Sequence, residues 1–225
     1  HWDPKRVLRT IAEERLTNLL LVPTMWRLLL REDVESHDLS SLRQVGFAGE
    51  VMDLPTLEAI RRRICPRIIN CYSTTETAVS GGTAMFPEDL ARPDKIESVG
   101  KPLLNSDVRV VAAGGSPDDE LPPGEEGEIL ISGPSLAQEF WCDPPLSREK
   151  FVGPWWRSGD LGTFDADGYL YVRGRVDDMM ISGGINVMPA PVENVLLAHP
   201  HVAAAAVLAL PHPQCGQLTT PPAFR

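Results

Sequence analysis

Three short apolar runs, "NLLLVP", "RQVGFAG" and "RIINCY", each follow a segment whose apolar residues recur at helical spacing. In the first such segment Val7, Leu8, Ile11, Ala12 and Leu16 form one stripe; "TMWRLLLR" and "LPTLEAIRRRI" supply the next two. Runs this short cannot form a buried helix but suit strands covered on both faces. Helix then buried strand, three times over, predicts an α/β layered region with a parallel sheet, because parallel neighbours need crossover connections that return the chain to the same edge. The loops at the strand ends then fall at Gly49 and Tyr72.

After about Gly81 the pattern changes to short alternating runs, "SDVRVVA", "GEILISG" and "GYLYVRG", separated by clusters such as "ELPPGEEGE". These predict the antiparallel strands of a small β region. "FDADGYLYV" places an Asp-Gly turn between hydrophobic runs, with Gly168 supplying the positive φ of a hairpin. A second change comes at Asp177, where "PAPVENVLLAHP" predicts a helix and "HVAAAAVLALP" a strand.

The 225 residues, 43% of them hydrophobic, suffice for one large domain or two smaller ones. Lys plus Arg number 21 against 31 Asp plus Glu, a formal net charge of −10, and no basic run is present. Nucleic-acid binding therefore lacks its usual electrostatic footprint. The four cysteines are scattered, without a C-x-x-C pair, so neither a zinc site nor a disulfide framework is expected, and reduced thiols in a cytoplasmic setting are. No stretch is long and apolar enough to span a bilayer.

"YSTTE", Tyr72 to Glu76, follows the third strand, and hydroxyls at the carboxyl end of a sheet are well placed to donate to a phosphate. Glu76 is then a candidate magnesium ligand. "WWRSGDLGTFDADGYLYVRGR" adds Asp160, whose carboxylate can accept both hydroxyls of a ribose, and Arg175, which can bridge ribose and phosphate. Singly each has an ordinary reading: a solvated Ser/Thr turn or helix cap, a turn aspartate, a surface cation.

In their order, "YSTTE", "RSGDLG" and "DGYLYVRGRVDDMMISGGINVMPAPVE" resemble the adenylate-forming superfamily of acyl- and aryl-CoA synthetases. Weaker similarity in "LLLVPTMWRLLL" and "LSSLRQVGFAGEVM" extends the resemblance over nearly the whole chain. It implies the late part of a large AMP-binding domain over 1–176, α/β to about residue 85 and β-rich after, and the start of a small α+β C-terminal domain over 177–225. It also implies activation of a carboxylic acid with MgATP to an acyl-adenylate, then transfer to coenzyme A. On this resemblance Thr75 contacts the α-phosphate and Glu76 the Mg2+ ion, the two catalytic positions. Tyr72 lies beside adenine, Gly49 borders adenine and the acyl pocket, Asp160 holds the ribose, and Arg175 meets ribose and phosphate. Asp177 is the hinge between the domains, and Gly183 and Gly184 line the pantetheine path.

The family's Ser/Thr/Gly-rich phosphate loop ending in Pro-Lys has no counterpart between His1 and Asn18, and no residue here matches its catalytic lysine. The resemblance therefore implies an incomplete acid–CoA ligase, inactive alone. Ile185 stands where such ligases commonly have an acid, which removes a charge near the expected CoA path. Two alternatives stay open beside the ligase: an AMP-binding module without catalysis, or an adenylation domain loading a carrier protein. The acid itself is not specified. Trp26 and Phe47, which border the expected acyl pocket, are read as core residues, since large aromatics are mostly buried for packing.

Overall fold

The computed structural model describes residues 2–50, 52–78, 81–178, 180–182, 185–187, 189–197, 199, 201–202, 205–212 and 216–220. The N-terminal region alternates α1 (Pro4–Glu14), β1 (Asn18–Leu21), α2 (Pro23–Leu29), β2 (Gln44–Ala48), α3 (Leu54–Arg63) and β3 (Ile68–Tyr72). Each helix starts where its sequence says it should. Asp3 accepts from the amides of Lys5 and Arg6, Asp53 accepts from that of Thr56, and Pro4, Pro23 and Pro55 occupy first-turn positions where a missing N–H is harmless. Leu8 and Ile11 of α1, Trp26 and Leu29 of α2, and Leu57 and Ile60 of α3 are buried against Val45, Phe47 and Ile68 of the sheet.

β1, β2 and β3 pair in parallel, as the helix–strand alternation predicts. The sheet then turns mixed, because β4 (Thr83–Met85) and β5 (Lys101–Pro102) add antiparallel beyond β3. These two strands are too short to carry a period, and that is why the sequence pattern does not show them. Trp26 and Phe47 are both in the core, and the Trp26 indole donates to the Gly46 carbonyl at 2.9 Å.

A second sheet is antiparallel, in the order β10 (Leu170–Arg175), β9 (Trp155–Phe164), β7 (Gly127–Ser132), β6 (Asp107–Val111), with β8 (Phe151–Val152) on β9. The Asp-Gly turn closes the β9–β10 hairpin, with Gly168 at φ +79°. The helix α4 (Pro144–Lys150), capped by Asp143, was not anticipated; its two leading prolines sit harmlessly in its first turn. A third, antiparallel sheet holds β11 (Met180–Ser182), β12 (Ile185–Val187), β13 (Leu208–His212) and β14 (Gly216–Thr220), and α5 (Pro189–Leu197), between β12 and β13, takes the predicted helical place. The strand expected over "HVAAAAVLALP" is confined to Leu208–His212, residues 205–207 lying outside any strand. No helix among the described residues is long and apolar enough to cross a membrane.

The first two sheets are joined edge to edge. Val99 donates to the Leu170 carbonyl and Leu170 to the Gly100 carbonyl, each at 2.8 Å. Beside this bridge the nearly buried Lys95 ammonium lies 2.7 Å from Asp165 and 2.8 Å from Asp167, both in the β9–β10 turn. Burial alone would raise the Asp165 carboxyl, but Lys95 and backbone amides outweigh it, and Lys95 holds Asp167 low as well. Both carboxylates therefore add stability above the ordinary carboxylate pKa and lose it as pH falls through their lowered values. Lys95→Met is expected to lower the melting temperature at neutral pH, with the gap from the unaltered chain closing only below about pH 4. Thermal melts across the acid range check this.

Candidate functional site

Where the carboxyl end of β3 faces the β9–β10 hairpin, a cavity of about 730 Å³ opens. The second sheet is irregular at this point. Between its pairings with Glu128 and Leu130 of β7, β9 carries extra residues around Ser158–Asp160, and β10 slips between Val172 and Gly174. Such bulges re-aim side chains next to sites. The Ser158 hydroxyl takes over part of the ladder, donating to the Ile129 carbonyl at 2.7 Å and accepting from the Asp160 amide at 3.0 Å. Gly159 sits at φ +72°, and a Cβ there would lie 3.2 Å from Nη2 of Arg175.

Asp160, turned into the cavity, is held from two sides. Its Oδ2 accepts from the Tyr72 hydroxyl at 2.7 Å, and its Oδ1 faces Arg175 Nη1 at 3.1 Å. Burial raises the Asp160 carboxyl above its ordinary pKa; the Tyr72 bond and the Arg175 charge pull the other way, and Glu76 adds repulsion. Burial and then the neighbouring carboxylate push the Tyr72 phenol well above the usual range, so it remains a donor at all working pH values. The Asp160 side chain is 14% exposed and that of Arg175 is 53% exposed.

The β3–β4 loop supplies the opposite wall. The buried Thr77 hydroxyl donates to the Gly81 carbonyl at 2.8 Å and accepts from the Thr74 amide at 3.0 Å, which closes the loop on itself. Ala137 donates to the Glu76 carbonyl at 2.7 Å, and the Ser135 hydroxyl donates to the Thr77 carbonyl at 2.8 Å, tying the loop to the segment after β7. Thr75 and Glu76 line the cavity, and neither the Thr75 hydroxyl nor the Glu76 carboxylate bonds another side chain among the described residues.

Gly49, at φ +93°, borders the cavity beside Glu50. The structure thus brings Gly49, Tyr72, Thr75, Glu76, Asp160 and Arg175 to one cavity, with Asp177 at its rim in the turn after β10. Gly183 and Gly184 lie outside the described residues. Sequence reading missed Asn70, Phe140, Lys150, Trp156, Ser158 and Val172, which also line it. Residues 156, 158 and 160 recur at strand spacing, a signal available in the sequence had "WWRSGDLGTF" been taken as a strand. Its two glycines and two charges hide that.

The cavity presents a carboxylate able to accept from paired hydroxyls, a guanidinium beside it, an aromatic wall and a threonine hydroxyl that bonds no other side chain among the described residues. For Mg2+, Glu76 offers a single carboxylate, and no group of three or more acidic, Cys or His side chains forms a metal cluster among the described residues.

The model of the AMP-binding enzyme family matches residues 1–141, and the chain belongs to that family. A feruloyl-CoA synthase of an Amycolatopsis species is 38% identical over 221 residues, covering 96% of this chain and 43% of the relative. Among solved structures, the amide bond synthetase McbA of Marinactinospora thermotolerans superposes with a TM-score of 0.84 at 34% identity, over 98% of this chain and 45% of its own. The O-succinylbenzoate coenzyme A synthetase MenE of Bacillus subtilis, in complex with ATP and magnesium ion, gives 0.82 at 31% identity, over 98% and 44%. The chain thus spans less than half the length of the relatives it matches.

Gly159→Ala places a Cβ at a left-handed backbone position and against the Arg175 guanidinium. It is expected to lower the unfolding free energy by about 1–3 kcal/mol, the usual cost of a strained non-glycine position. Urea denaturation of the two chains measures it.

Proposed function

We propose that this chain carries the adenosine-facing side of an acid–CoA ligase that activates a carboxylic acid with MgATP and transfers it, through an acyl-adenylate, to coenzyme A. The observation that carries the reading is the convergence of Tyr72, Asp160 and Arg175, from three different strands, on one cavity also lined by Thr75 and Glu76. The names of the relatives support acid–CoA ligation, and a neighbour solved with ATP and magnesium ion supports the nucleotide. When bound, MgATP supplies an α-phosphorus open to a carboxylate, with pyrophosphate as the leaving group.

In this reading the Asp160 carboxylate accepts the ribose hydroxyls; the Tyr72 bond and then the Arg175 charge oppose the effect of its burial, and Arg175 also faces ribose and phosphate. Tyr72 gives the base an aromatic wall and Gly49 lets the backbone approach it. The Thr75 hydroxyl donates to an α-phosphate oxygen, stabilising charge where it builds up. Glu76 holds Mg2+ through one carboxylate. Asp177 is the hinge at the boundary between a large domain ending at 176 and a small one beginning at 177, since a turn of a few residues can absorb a domain rotation. Gly183 and Gly184 belong to the path of the thiol arm.

AMP titrated calorimetrically into the 225-residue chain is expected to bind. Asp160→Ala should weaken it by roughly 1.5–3 kcal/mol, the range for hydrogen bonds to a charged group. Equal affinity for the two chains would remove Asp160 from the site and the reading with it.

A further inference from the structure

We infer that Tyr72 is a positioning residue for the ribose: its hydroxyl, by holding Oδ2 of Asp160, sets the carboxylate in the orientation that meets the sugar hydroxyls. This role is separate from that of its ring beside the base, and it rests on the nucleotide reading above.

The geometry leaves Asp160 little else to fix it. Its backbone is pinned by Ser158 at 3.0 Å, but that bond leaves the side-chain rotation free. Arg175 touches Oδ1 at 3.1 Å from a guanidinium that is half exposed, a tether that water and salt weaken. The Tyr72 hydroxyl, part-buried and 2.7 Å from Oδ2, is the shorter and less exposed contact. It comes from β3, whereas Asp160 is on β9, so the bond also sets the distance between the strand ends that form the two walls. Acceptor capacity agrees: an ionised carboxylate offers about four lone-pair sites, and Tyr72 and Arg175 each take one. The remainder matches two vicinal hydroxyls. The charged or titratable groups facing Asp160 are Tyr72 from β3, Arg175 from β10 and Glu76 from the β3–β4 loop.

Tyr72→Phe keeps the ring and removes one oxygen. Calorimetric titration of both chains with AMP and with 2′,3′-dideoxy-AMP separates the two roles. The variant should bind AMP roughly three- to tenfold more weakly, yet lose less than about twofold with the dideoxy nucleotide, which presents no hydroxyl to Asp160. Equal losses for both ligands, or none for AMP, would overturn the positioning role while leaving the nucleotide site standing. A parent chain that binds neither nucleotide would overturn both.

Where the dideoxy nucleotide binds too weakly to titrate, the pH profile of AMP binding decides. Without the Tyr72 donor the charged form of Asp160 loses support, so its pKa rises and the acid limb of binding moves to higher pH in the variant. The phosphate's own titration cancels in the ratio of the two chains. A constant ratio between about pH 4 and pH 8 would show that the hydroxyl does not act through Asp160.

Discussion

The candidate site depends on the docking of the β9–β10 hairpin against the edge of the first sheet. Two backbone hydrogen bonds, Val99 to Leu170 and Leu170 to Gly100, splice the sheets, and Lys95 clamps the hairpin turn through Asp165 and Asp167. Gly100 has no substitute at this seam: it lies at φ +91°, and a Cβ on it would sit 1.9 Å from the Ala84 carbonyl oxygen. With the turn end fixed, the other end of the hairpin swings over the carboxyl end of β3, where Asp160 meets Tyr72 across 88 residues of sequence. A small rotation at the seam would be magnified along the hairpin, which makes the Lys95 clamp a determinant of the site from its far end.

The residues in that site break rules that the rest of the fold obeys. Elsewhere in the second sheet β6 and β7 pair regularly, and the more deeply buried Glu128 carboxylate lies 2.7 Å from an Arg157 guanidinium that is itself largely buried. Around Ser158–Asp160 the ladder is interrupted and a carboxylate is largely buried, at a cost visible in its raised pKa. Stabilisation by Tyr72 and Arg175 offsets part of that cost. Local preference given up without a gain in packing is the kind of feature that accompanies functional sites.

How much of this the sequence disclosed varied with the range of the interaction responsible. Helical stripes and apolar runs are local, so α1, α2 and α3 and the strands after them were legible from them; the caps at Asp3 and Asp53, equally local, went unread. The antiparallel turn of the first sheet was not, since β4 and β5 are strands only by virtue of their neighbours. "WWRSGDLGTF" concealed β9 because its glycines and charges have poor strand propensity, and pairing on both sides supplies what propensity lacks. The resemblance to adenylate-forming enzymes picked out Tyr72, Asp160 and Arg175 as separate ligand contacts. That the first two bond one another is a fact of tertiary geometry, and no spacing encodes it.

The two ends of the cavity differ in a way that bears on how a nucleotide would enter. Around Asp160 the polar groups are already satisfied by one another, so ribose hydroxyls must join an existing network and gain only the capacity left over. Around Thr75 and Glu76 the loop backbone is locked by Thr77, Ser135 and Ala137, while the Thr75 hydroxyl and Glu76 carboxylate bond no other side chain among the described residues. On the proposed nucleotide reading, a phosphate or its metal ion would meet donors and acceptors that need no partner displaced, on a loop that needs little ordering. Specificity for the sugar would then come from the preorganised end, where a missing hydroxyl would leave a buried carboxylate underused, and the phosphate end would contribute electrostatic stabilisation that any nucleotide can draw on.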